Sequence, residues 1–232
     1  MAMRQNGGYA TLSHLYLAAP RVPQSQWGTK TPFASIRRIV QTRPQFFRIR
    51  PGLWGLAEQR HDILRSLNIA STSNRDDILD FDHTYYQGLA VEIGAFRGFE
   101  TRVPNQDSGK LFLNRRLRDV ATLEQCHDFS YPNLVQRAKG VDVLWFNQRK
   151  MPSAFIEIEF TTDFYNSLLK FCDLQDFRAR FLIVSDMARK REYDQKLACA
   201  AFADIRQLVT FVDFEQIASL HSHLAQANVQ AI

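Results

Sequence analysis

Ala154-Phe155-Ile156-Glu157-Ile158-Glu159-Phe160 sets two carboxylates into an otherwise apolar run. Successive side chains of a strand point to opposite faces, so Ile156, Ile158 and Phe160 share one face and the two glutamates share the other. Two ionised carboxylates on one covered face repel each other and lose hydration unless a cation or protons compensate. On a solvated edge strand the same alternation would only discourage edge pairing. The run Val141-Asp142-Val143-Leu144-Trp145-Phe146 argues for the covered sheet. It is equally β-prone, adds a third carboxylate, and reaches the first run through a hairpin-length loop. Oxygen ligands at this density suit Mg2+ or Mn2+ better than zinc.

Outward from these two runs, helix and strand patterns alternate. Residues 85–96 carry an apolar helical stripe, 99–104 form a short strand, and 163–174 a helix opened by Asp163. A buried strand follows at 181–184, then a helix at 188–202 and a further strand at 209–212. The order predicts an α/β fold, an α+β mixed sheet, over residues 81–232. Polar residues 61–80, with a helix over about 59–69 and the loop Ser71-Thr72-Ser73-Asn74, read as a linker.

Residues 1–60 differ in charge. They hold nine Lys or Arg against one acid, a net +8, whereas the other 172 residues hold 20 basic and 23 acidic, a net −3. That asymmetry points to a polyanion partner for the first segment. Residues 11–19 have helical spacing and stop at Pro20. Thr31-Pro32 predicts the start of a second helix. It buries Phe33, Ile36 and Val40 (or Ile39) and displays Ser35, Arg37, Arg38 and Gln41. Residues 46–56 predict two short strands around the Pro51-Gly52 turn, with Arg48 and Arg50 alternating with apolar neighbours. Lys30, Thr31, Ser35, Arg37, Arg38, Gln41, Arg48 and Arg50 are the candidate DNA contacts.

Two resemblances sharpen this reading. Gly28-Thr29-Lys30-Thr31-Pro32 and Phe47-Arg48-Ile49-Arg50-Pro51-Gly52-Leu53-Trp54 make residues 7–57 resemble winged helix-turn-helix modules of the HARE-HTH type. Such modules normally begin with an earlier helix, and only Met1 to Asn6 precede Gly7-Gly8 here. Either the start is truncated, or another part of the chain or a second subunit completes the core.

Asp142 in Gly140-Val141-Asp142-Val143, with Glu157-Ile158-Glu159, makes residues 80–190 resemble the PD-(D/E)xK nucleases, a restriction-endonuclease-like fold. The resemblance implies that Asp142 and Glu157 hold a metal and that Glu92, on the preceding helix, contributes a further acid. Glu159 stands where Lys is commoner, so Glu159 itself or Lys170 of the next helix would position the attacking water. It implies metal-assisted hydrolysis of double-stranded DNA, with a homodimer supplying one active site per strand. A DNA-binding regulator with an inactive nuclease-like domain is the alternative.

A hydrophobic share of 45% with 12% aromatics supports a packed core. No apolar run is long enough for a membrane span, and the N-terminus lacks the layout of a secretory signal, so a cytoplasmic protein is expected. Cys126, Cys172 and Cys199 show no disulfide or zinc-knuckle spacing. His221 and His223 alone do not define a tetrahedral metal site.

Overall fold

The computed structural model of the chain describes residues 1–23, 31–161 and 163–230, so Lys30 lies outside the described residues. Among them no helix is long and apolar enough to cross a membrane. The chain forms two compact units, Leu79–Ile217 and Met1–Ile78 together with the segment from Ala218.

The larger unit is a mixed α/β structure built on a five-stranded sheet. Helix α5 (Arg75–Phe96) leads into β4 (Glu100–Arg102), and β7 (Val143–Phe146) and β8 (Pro152–Glu159) complete an antiparallel meander. Helix α8 (Phe164–Leu174) then crosses to β9 (Arg180–Ser185), which runs parallel to β8; α9 (Lys190–Leu197) leads to β10 (Val209–Asp213), parallel to β9. Between β4 and β7 lie a small hairpin of β5 (Leu111–Phe112) and β6 (Arg115–Arg116), then α6 (Leu117–Val120) and α7 (Pro132–Lys139). The expected helix over 188–202 is shorter because Cys199 turns extended after α9.

Alternation in β8 decides which layer faces the acids. Phe155, Phe181, Leu144, Phe146 and Ile183 form one buried cluster with Phe164, Leu168, Phe171 and Leu174 of α8. Glu157 and Glu159 share the face of Phe155 by the two-residue period, so they point into the α8 layer. On the opposite face Phe160 stacks with Phe214, and Tyr86 of α5 stacks on the same ring. Helix α5 approaches the sheet closely because Gly94 has no side chain: a Cβ there would stand 2.6 Å from Trp145 Nε1. That indole nitrogen donates to Ala90 O at 3.1 Å, tying α5 to β7.

The smaller unit has a three-stranded antiparallel sheet, β1-β3-β2, of β1 (Tyr9–Thr11), β2 (Phe46–Arg50) and β3 (Leu53–Leu56). Helices α1 (Ala2–Gln5), α2 (Leu12–Ala18), α3 (Pro32–Thr42) and α4 (Arg60–Ser66) belong to it. Thr11 opens α2, its hydroxyl accepting from His14 N, and Pro32 takes the first turn of α3. Gly52 supplies the positive φ of 78° that the hairpin turn requires. Phe33, Ile36 and Val40 face a cluster with Ala2, Met3, Ala10, Leu12, Leu15 and Tyr16, while Ile39 stays exposed. Val229, near the end of α10 (Phe214–Gln230), packs against that same cluster.

Candidate active site

Asp142 sits immediately before β7, at the mouth of the β7–β8 hairpin. Its Oδ2 accepts from the Ile158 backbone N–H at 2.7 Å, so the hairpin itself fixes the carboxylate beside β8. Gln87 of α5 donates to Asp142 O at 2.8 Å, and His83, one turn earlier, bonds Asp142 Oδ2 at 3.3 Å. Oδ1 of Asp142 has no hydrogen-bond partner among the described residues.

Glu157 is 2% exposed and Glu159 5%. Both reach Ser167 of α8, whose hydroxyl donates to Glu157 Oε2 at 3.1 Å and bonds Glu159 Oε1. One turn further along α8, the Lys170 ammonium bonds both oxygens of Glu157 at 2.9 Å and Gly140 O at 2.8 Å. Ser167 and Lys170 are three apart, the spacing that brings two side chains to one helix face. Lys170 therefore joins the two halves of the site: the loop carrying Asp142 and the strand carrying Glu157.

One ammonium does not balance this much negative charge. Burial, and next the charge of Asp142, push Glu157 up to about 8 against the opposing pull of Lys170. For His83, burial works against the imidazolium, but the bond and charge of Asp142 outweigh it and hold the ring above its usual value. The Nδ1 of His83 and the Oε1 of Gln87 are buried without partners among the described residues.

Among the described residues no group of three or more His, Cys, Asp or Glu side chains stands together as a metal cluster. The donor chemistry of the acids nevertheless suits a hard divalent cation. Asp142 has an uncommitted oxygen, and Glu157 is a buried carboxylate short of positive charge. Asp142 and Glu157 are the residues that could hold such an ion.

The other sequence-predicted residues are placed as follows. Glu92 lies on α5 but roughly 140° around it from Gln87, and there it pairs with Arg115 at the start of β6. Ser167 links Glu157 to Glu159, and Lys170 links Glu157 to the Gly140 carbonyl two residues before Asp142. In the smaller unit Arg38, Gln41, Thr31 and Arg48 are exposed and Ser35 is half-buried. Arg37 donates to Tyr16 Oη at 3.1 and 3.3 Å, and Arg50 donates to Ile49 O at 2.9 Å, so both also serve the packing of their own unit.

Sequence reading missed His83, Gln87 and Ser167. Their only local signal is polar spacing: His83 and Gln87 one turn apart in an apolar helix, Ser167 one turn before Lys170.

Residues 67–232 match the family described as the type II restriction enzyme NmeDI C-terminal domain. Over 117 residues the chain is 26% identical to the type II restriction enzyme NmeDI of Neisseria meningitidis serogroup C, covering 48% of this chain. The chain spans a third of the length of that curated relative. No solved structure matches it.

Proposed function

The chain belongs to the family of the type II restriction enzyme NmeDI C-terminal domain, and from that premise we propose that it is a metal-dependent DNA endonuclease of the restriction type. The observation that carries the reading is the buried Glu157 carboxylate, gripped by Lys170 and facing Asp142 beside the hairpin. The order of elements supports a restriction-endonuclease-like core: a helix, an antiparallel meander of three strands, a crossover helix and a parallel strand.

Asp142 and Glu157 hold the cation in this reading, their positions set by Ile158 N and Ser167. When bound, it supplies charge stabilisation at the phosphate and lowers the pKa of a coordinated water. Lys170 is the better placed of the two candidates for orienting the attacking water. Its side chain is 24% exposed, whereas Glu159 is 5% exposed and bonded to Ser167. His83 and Gln87 hold the Asp142 segment from the α5 side.

The experiment is cleavage of supercoiled plasmid by the whole chain in Mg2+ or Mn2+, with EDTA as the control. Nicking or linearisation that EDTA abolishes is expected. No cleavage of any DNA, methylated or not, would favour a DNA-binding regulator instead.

The smaller unit is read as a winged-helix-like DNA grip. Its α1-β1-α2-α3-β2-β3 order and the exposed Arg38, Gln41 and Arg48 support this. Replacing Arg38 and Arg48 together by Ala is expected to weaken duplex binding. It should also flatten the slope of log affinity against log salt by about 1.8, at about 0.9 for each phosphate no longer neutralised. An unaltered slope would remove these residues from the interface. Cutting both strands calls for two active sites, which a homodimer provides.

A further inference from the structure

A cleft of about 500 Å³ lies beside the carboxylate site, walled by Asn133, Gln136 and Arg137 of α7 and by Lys170 and Asp173 of α8. Lys170 at its end is the same ammonium that grips Glu157. The side chains of Asn133 and Gln136 are exposed and make no hydrogen bonds to other described residues. Arg137 is bonded to Asp173 through Nε alone, so its two Nη groups have no partner among the described residues. This wall is thus rich in idle N–H donors. The one carboxylate on it, Asp173, pairs with Arg137 Nε.

Resting on the nuclease reading above, we propose that this cleft holds the sugar-phosphate backbone of the strand being cut, on one side of the scissile phosphate. Helix rise places Gln136 about 6 Å and Asn133 about 10 Å along α7 from Gly140, whose carbonyl Lys170 touches. Each strand of a duplex carries one phosphate per about 3.4 Å of axis, so this wall faces the two or three phosphates next to the cut. Asn133 and Gln136 donate amide N–H to phosphate oxygens, interactions that set register without reading sequence. Arg137 adds charge through its Nη groups while Nε stays on Asp173. Backbone held here brings the scissile phosphate to Lys170.

The test compares the full chain with Asn133→Ala/Gln136→Ala and with Arg137→Gln, all at exposed positions. After the cut is mapped on plasmid, each protein binds a duplex spanning that site in Ca2+. One duplex is unmodified; another carries an uncharged methylphosphonate at the second phosphate from the cut. The Ala pair is expected to weaken binding about tenfold and to slow cleavage of subsaturating duplex by about the same factor. Arg137→Gln is expected to flatten the salt slope by about 0.9. The methylphosphonate weakens wild-type binding and costs the Ala pair little more, because both changes remove the same interaction. Penalties that simply add, or variants that bind as wild type does, overturn the cleft assignment while leaving the nuclease reading intact. A wild-type chain that cuts no DNA overturns both.

Discussion

Glu157→Gln is expected to lower plasmid cleavage about a thousandfold or more while leaving the fold at least as stable. The substitution keeps the shape and the hydrogen bond from Ser167 but removes the charge that Lys170 and a divalent cation would share. A metal-bound site supplies several kcal/mol of transition-state stabilisation, and each ~1.4 kcal/mol is tenfold in rate. The stability sign is opposite. Glu157 is raised from 4.5 to about 8, first by burial and then by Asp142. Its protonated form is therefore the one the metal-free fold prefers. Its contribution is fully present below about pH 4.5 and is lost as pH rises to about 8. Gln carries no such slope, so the variant's advantage in EDTA should grow with pH across that window. Urea unfolding at several pH values, beside cleavage in Mg2+, checks both halves. A variant that cuts like wild type would sink the proposed site.

What the sequence made legible was what local periodicity encodes. The two-residue alternation of 154–160 predicts one face for both glutamates, and α8 covers that face. Thr31-Pro32 predicts where α3 begins, and Pro51-Gly52 predicts the turn. The rest depends on pairings across long sequence separations. His83 and Gln87 matter because α5 crosses Asp142, 59 and 55 residues away. Glu92 is an acid on that same helix, yet it pairs with Arg115 in an insertion with no strong periodicity of its own. Helix α7, which walls the cleft, opens at Pro132 and has only eight residues, a pattern too short to stand out.

The core of the N-terminal segment has the same kind of answer. Helix α1 spans only Ala2–Gln5, too little to cover the cluster around Tyr16 and Phe33, but Val229 packs there from the far end of the sequence. Residues from Ala218 belong to the smaller unit, and Ala218, His221, Ser222 and Ala225 are buried at helical spacing. A chain stopped after Ile217 is therefore expected to lose about 3 kcal/mol or more from that unit, as several buried positions and one packed apolar side chain go at once. For a unit of this size each kcal/mol is worth about 4–8 °C, so its melting should fall by about 12–24 °C. Hydrogen exchange gives the sharper check, because protection should drop in α2, α3 and β3 and persist in β8 and β9. DNA binding by the full chain and the shortened one should part at the same temperature. Unaltered protection in α3 after the cut would mean that the first 78 residues close their own core, and that α10 only rests on it.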